Sequence, residues 1–297
     1  MQRPQFTASR IAFFRFCNYN ILDMEKEKAK KKNNIVFTAL TVIFALIFVF
    51  SLFKLTSLLL QYKREKAVNQ QLVELLRPDD DIAPPAGGES QTAEGEPQML
   101  ERYKALYETN GEMIGWIEIP GTQANGPVVQ SPPENREKYL RLDFFGKSSN
   151  SGTFFLDSNC DLENSDNLII HGHRMNNGTM FGELNKYRDE AFWRKHPTFS
   201  FDTLYKKQTW EVVAACNMKL PMINIDKSPE EQEYNYTVFV NAANEDEYKA
   251  YVNFVREHMI FETGIIPQYG EDRLITLSTC KKGDYSSRFI VVARLLK

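Results

Sequence analysis

Chemistry is concentrated in three short stretches of this 297-residue chain. Cys280 ends the run LITLSTC, Arg288 opens the run RFIVVARL, and His171 and His173 flank Gly172 in NLIIHGHRMNNGTMFG. An ordinary thiol, with a pKa of about 8.5, is only slightly ionised at neutral pH, so a nucleophilic cysteine needs a base beside it. Imidazole moves protons near neutrality, and a guanidinium holds an oxyanion as charge develops. Together the three groups make a complete set for acyl transfer. Each alone has a plainer reading: a buried packing cysteine, a loop histidine, a surface arginine. Their recurrence at the ends of strand-like runs raises the combination above its parts, because catalytic groups gather on loops at strand ends. Spacing leaves open which of His171 and His173 serves. His196, ahead of Pro197, and His258 stand near expected helix ends, where an imidazole stabilises the terminus.

The segments that must position these residues are short β-branched or aromatic runs separated by turn residues: IGWIEIPG, GPVVQ, SGTFFLD, NLIIHG, TWEVVAACNM, YNYTVFV, RLITLST and RFIVVARLL. Helical patterns interrupt them in MLERYKALYETN, FGELNKYRDEAFWRKHP and NEDEYKAYVNFVREHM. The last spaces Tyr248, Tyr251, Val252 and Val255 three and four apart, behind acids in its first turn. Seven or eight strands at this spacing predict a mainly β domain, a closed barrel or a sandwich with inserted helices, and the barrel is preferred.

Upstream the composition changes. Residues 35–53, IVFTALTVIFALIFVFSLF, carry no charge and would run about 28 Å as a helix, close to the thickness of a bilayer's hydrocarbon core. Lys26, Lys28, Lys30, Lys31 and Lys32 precede the run and favour a cytoplasmic N-terminus, although Lys54, Lys63, Arg64 and Lys66 dilute the asymmetry. The expected organisation is a cytoplasmic segment over 1–34, a transmembrane anchor over 35–53, a stalk and flexible linker over 54–98, and a catalytic domain over 99–297. Met24 is an alternative translation start to Met1, and would leave Cys17 outside the protein. The linker run RPDDDIAPPAGGESQTAEGEP is too poor in large apolar residues to offset its ordering entropy. A net charge of −3 without a basic face argues against nucleic acid as a partner. Of the four cysteines, Cys216 in EVVAAC reads as a core residue, and no bridge between Cys160 and Cys216 is expected.

TLSTC at 276–280, RFIVVARL at 288–295, IIHGHRMNNGTMFGEL at 169–184, GWIEIPGTQANGPVVQ at 115–130 and SGTFFLD at 151–157 resemble the sortases. The helical patterns before IGWIEIPG and before the final strands make the chain most similar to class B. The resemblance spans about residues 100–297 and implies a sortase-type eight-stranded β-barrel with peripheral helices. It implies an extracytoplasmic cysteine transpeptidase that cuts a sorting signal of secreted proteins after Thr and joins it to a cell-wall or pilin amine. Carried over, Cys280 is the nucleophile, His173 (the histidine after the glycine) the acid/base and Arg288 the oxyanion clamp. Ser278 and Thr279 line the substrate groove. Neither metal nor other cofactor is implied. His171 stands where class B members often have Tyr, and Asn125–Val128 departs from the usual Asn-Tyr-Pro-Val. The rival readings are another anchored cysteine hydrolase and a non-enzymatic tethered extracellular domain, for which Cys280 would be buried and inert.

Overall fold

The computed structural model describes residues 8–76, 98–220, 234–281 and 284–297. The Pro-, Gly- and acid-rich run expected as a tether lies outside the described residues. The chain divides into two compact units, Met1–Lys66 and Ala67–Lys297. A long helix, α1 (Ala8–Leu75), contains the uncharged run. Among the described residues, the part of it from Val36 to Leu75 is long and apolar enough to cross a membrane, judged by length and composition.

The second unit is an eight-stranded closed barrel with peripheral helices, as the sequence predicts. Its elements are α2 (Glu101–Thr109), β1 (Met113–Glu118), β2 (Asn125–Gln130), β3 (Phe154–Leu156), β4 (Asn167–Gly172), α3 (Glu190–Lys195), β5 (Thr198–Thr203), β6 (Thr209–Lys219), α4 (Glu245–His258), β7 (Leu274–Lys281) and β8 (Asp284–Leu295). Around the barrel the order is β1, β2, β3, β4, β7, β8, β6, β5, closing back on β1. The pairs β2–β3 and β4–β7 run parallel, so each needs a long crossover. The second crossover, between β4 and β7, carries α3, β5, β6 and α4.

Alternation along the strands sorts side chains to two faces. Ile275, Leu277, Phe289, Val291 and Ala293 fill the barrel interior with Phe181, Leu184 and Tyr187. On the outer face of β7 and β8, Leu274, Ile290 and Val292 meet Tyr248, Tyr251, Val252 and Val255 of α4. That helix is strongly encoded: the Asn244 side chain accepts the Glu247 N–H at 3.0 Å, acids fill its first turn, and Arg256 and His258 fill its last.

Three features differ from the sequence reading. YNYTVFV contains a single 3-10 turn (Tyr236–Val238) instead of a strand, with the Asn235 side chain accepting the Thr237 N–H. The strand β5, TFSFDT, takes its place in the barrel between β6 and β1. The compact unit also starts earlier than the expected 98/99 boundary: Val68, Leu72, Leu75 and Leu76 pack with Tyr103, Leu106, Trp116 and Phe155, and Leu72 is only 5% exposed.

Candidate active site

One end of the barrel gathers the candidate residues, and backbone register explains how. In the antiparallel pair β7–β8, Cys280 is the Cα partner of Arg288. Across the other edge of β8, Arg288 pairs with Met218 of β6. In the parallel pair β4–β7, His171 lies beside Ser278 and Gly172 beside Thr279. His173 and Cys280 are each the next residue beyond that last pair. Neighbouring strands lie roughly 4.8 Å apart, so three segments distant in sequence meet at one strand end.

Gly172 is required by packing. A Cβ there would come within 2.6 Å of Phe181 and 2.8 Å of Phe154 in the barrel interior, so only glycine lets β4 run this close.

The two histidines have different environments. His171 Nε2 lies 3.1 Å from Asp157 Oδ2, and its ring tilts against Phe155 with centroids 5.2 Å apart. Burial raises the Asp157 carboxyl, but bonds from His171 and the Asn159 N–H outweigh it and hold the group below its ordinary value. His173 Nε2 lies 2.8 Å from the Leu140 carbonyl. A carbonyl only accepts, so Nε2 carries the proton and the neutral ring presents Nδ1 as its base. Burial pushes the His173 pKa down; the Leu140 carbonyl opposes this and the Arg141 charge adds to it.

The Leu140 carbonyl is itself held in place. Its neighbour Tyr139 is buried, donates to Glu112 Oε2 at 2.6 Å and accepts from Asn110 Nδ2 at 2.8 Å. Burial, then the Glu112 carboxylate, pushes the Tyr139 phenol up to about 12.

Arg288 is half-buried, and its Nη1 donates to the Ser287 carbonyl at 3.2 Å. Ser278 and Thr279 are each only 2% exposed. The Ser278 hydroxyl is bonded to Tyr236 Oη at 2.8 Å, which ties β7 to the 236–238 turn. Beneath them Tyr251 Oη donates to Thr276 Oγ1 (2.8 Å), which donates to Asn167 Oδ1 (2.9 Å), while Asn167 Nδ2 donates to the Phe239 carbonyl (2.8 Å). This buried chain joins α4, β7 and β4, and so fixes the register that aligns Cys280 with His173.

The remaining expectations find plain places. His196 is the C-terminal cap of α3, and His258 Nδ1 lies 2.8 Å from the Phe254 carbonyl at the end of α4. Cys160 and Cys216 are buried free thiols, with no bridge between them, and burial pushes both up to about 12. Among the described residues no group of His, Cys, Asp and Glu is arranged to hold a metal ion. Sequence reasoning misses Leu140, whose contribution is a backbone carbonyl without side-chain signature, and Asp157, whose place at the end of SGTFFLD is the available signal.

A closed eight-stranded barrel that brings a Cys strand end, a Gly-His strand end and an Arg strand start together is the architecture of a cysteine acyl-transfer enzyme. Residues 117–296 match the sortase domain family model, and the chain belongs to the sortase family. It is 29% identical to Sortase B of Staphylococcus aureus over 199 residues, covering 66% of this chain and 75% of that protein. It is 28% identical to Sortase B of Listeria monocytogenes over 202 residues, covering 67% and 76%. The Staphylococcus aureus sortase B–substrate complex superposes with a TM-score of 0.57 at 27% identity, over 67% of this chain and 87% of that one. A Bacillus anthracis sortase B complex gives 0.60 at 27% identity, over 80% and 99%. The chain is most like class B: a sortase-type cysteine transpeptidase acting on sorting signals.

Proposed function

We propose that Cys280, His173 and Arg288 carry the reaction. The observation that supports this most directly is the strand register, which pairs Cys280 with Arg288 and carries β4 to His173 alongside it. The Cys280 thiol gives its proton to His173, and its sulfur attacks the scissile carbonyl of Thr in the sorting signal. Arg288 donates to the developing oxyanion. Collapse breaks the C–N bond, the imidazolium protonates the leaving amine, and a thioacyl-enzyme remains. A second amine then attacks the thioester, passes its proton to His173 and releases the thiolate, which recovers that proton. The acceptor amine belongs to the cell-wall precursor or to a pilin lysine. A related sortase B solved in complex with triglycine supports an amine acceptor. Ser278 and Thr279 shape the groove by setting the strand that carries Cys280.

The uncharged helix anchors the enzyme in the cell membrane by residues 35–53, with the N-terminus cytoplasmic and the catalytic domain outside. Its length and composition support the anchor, and the lysine cluster before it supports the orientation.

Intact-mass measurement of the full chain with a panel of Thr-containing sorting peptides tests the chemistry. An acyl adduct on the wild type that is missing from Cys280→Ala is expected. Adduct formation by Cys280→Ala would overturn the assignment.

A further inference from the structure

To take the thiol proton on Nδ1, His173 must carry its own proton on Nε2, and the Leu140 carbonyl, 2.8 Å from Nε2, makes that choice. Once the ring becomes an imidazolium, the same carbonyl accepts from a charged donor, which is a stronger bond than the neutral one. This oxygen therefore bears on both proton transfers. It belongs to the backbone, so its position depends on what grips residues 138–142.

The grip comes from two sides. On the first, Asn110 caps the C-terminal end of α2. Asn110 Nδ2 donates to Tyr139 Oη at 2.8 Å and to the Phe144 carbonyl at 2.9 Å, while its Oδ1 accepts the Glu112 N–H at 3.0 Å. Tyr139 Oη donates in turn to Glu112 Oε2 at 2.6 Å, and Lys138 Nζ donates to both Glu112 oxygens, at 2.8 and 2.6 Å. Burial raises the Glu112 carboxyl, but the bonds from Lys138 and Tyr139 outweigh it and hold the group below its ordinary value, so it stays an acceptor. The Tyr139 ring is buried in the cluster of Trp116, Phe144 and Phe155.

The second side is the start of β3. The Thr153 N–H donates to the Tyr139 carbonyl at 3.0 Å, and Thr153 Oγ1 donates to the Leu142 carbonyl at 3.0 Å. Gly152, at φ +63°, passes so close that a Cβ would lie 2.5 Å from the Tyr139 oxygen and 3.0 Å from the Leu140 oxygen. The carbonyls of 139 and 140 are thus clasped between the end of α2 and the start of β3, and the second of them points at His173.

We propose that Tyr139 is a positioning residue for acyl transfer: anchored at its tip by Asn110 and Glu112, it holds the Leu140 carbonyl where that oxygen selects the Nε2–H tautomer of His173. This rests on the reading of His173 as the acid/base. It also gives the helix before the first strand a part in the chemistry, since the cap of α2 is the far end of the chain of bonds.

Two variants of the full chain in detergent disturb the carbonyl from opposite sides. Tyr139→Phe keeps the ring and leaves Glu112 with Lys138 and Asn110 with the Phe144 carbonyl, so no buried group is stranded. Gly152→Ala keeps every side-chain bond and presses on the two oxygens. The readouts are kcat and KM for peptide cleavage, and the nitrogen-15 imidazole spectrum at about pH 8, where a histidine is neutral. His173→Gln assigns the signals. The wild type is expected to show His173 protonated at Nε2. Each folded variant should mix in the Nδ1–H form, with KM within about twofold. Expected kcat is lower by about three- to tenfold in Tyr139→Phe and by up to about 100-fold in Gly152→Ala, since small misplacements of a catalytic group are costly. A wild-type ring protonated at Nδ1, or a tautomer unmoved in both folded variants whatever their rates, would overturn the proposal. Failure of the His173 assignment reads differently: the tautomer shifts in the variants while kcat stays at the wild-type value.

Discussion

Cys280 and Arg288 are register partners across β7 and β8, so the residue proposed to attack and the residue proposed to hold the resulting charge are fixed to each other by one backbone pairing. The pairing continues without interruption from Leu274–Arg294 to Cys280–Arg288 and shifts immediately afterwards, between Cys280 and Lys281. Geometry at this point is set by the ladder, whose interior partners Leu277 and Val291 are fully buried.

Arg288→Ala should lower peptide cleavage by about 100- to 1,000-fold, the loss of roughly 3–4 kcal/mol seen when an oxyanion donor is removed. Arg288→Lys should restore only part, since a point charge cannot reproduce a planar fork of donors. Alkylation of Cys280 should persist in both variants. Near-normal cleavage by Arg288→Ala, measured beside alkylation on the same sample, would take the arginine out of the mechanism.

His173→Ala should abolish turnover, whereas His171→Ala should keep a measurable rate. His171 is committed to Asp157, and its register partner is Ser278; His173 stands level with Cys280 with Nδ1 as its base. Steady-state rates of the two variants decide the matter, and a dead His171→Ala beside an active His173→Ala would reverse the assignment.

The same burial gives a pH signature. The folded-state pKa of His173 lies below its ordinary 6.5, so the unfolded chain takes up a proton first as pH falls. Stability on this account is intact above 6.5, declines as pH drops from 6.5 towards the depressed folded value, and is constant below that. Denaturant midpoints between about pH 7.5 and 5 should therefore fall less in His173→Gln than in the wild type. Parallel curves for the two proteins would show that His173 titrates alike in both states.

Much of this architecture is legible in the residues themselves, and the exceptions have physical causes. The β7–β8 hairpin and α4 announce themselves because each has a long, regular apolar pattern with clear ends. TFSFDT does not: Thr198, Ser200 and Asp202 interrupt it, and its burial comes from partners in β1 and β6, the former far away in sequence. YNYTVFV misleads in the opposite way, since its aromatic residues are apolar for the sake of α4; Phe239 stacks on Tyr251 with ring centroids 4.1 Å apart. The candidate site is legible as residue types, but the choice between His171 and His173 needs register, which a single sequence does not contain.

Thr276→Val tests whether the buried chain beneath the site matters. The swap keeps shape but strands the Tyr251 hydroxyl and Asn167 Oδ1, each deprived of its bond to Thr276. Each stranded group costs about 1–3 kcal/mol. Adding Tyr251→Phe removes one stranded group and should recover part of the loss, so the double variant is expected to unfold at higher urea than Thr276→Val alone. Strictly additive losses would mean the chain is not coupled.

The last expectation concerns where the catalytic unit begins. No residue proposed for chemistry precedes Met99, so a fragment of residues 99–297 should fold and cleave peptide at close to the rate of residues 67–297. It should nevertheless be less stable, because Leu72 is 5% exposed and packs with Val68, Leu75 and Leu76 into the cluster around Tyr103 and Trp116. Full burial of one leucine contributes about 1.5–3 kcal/mol, and in a domain of roughly 200 residues each kcal/mol shifts Tm by about 2–4 °C. A melting point lower by about 4–10 °C, with cleavage within about twofold, is therefore expected of the shorter fragment. Equal melting points would mean that the 68–76 segment only rests on the domain. A stable but inactive 99–297 fragment would mean that the segment reaches the chemistry, through the Phe155 side of β3 that supports His171.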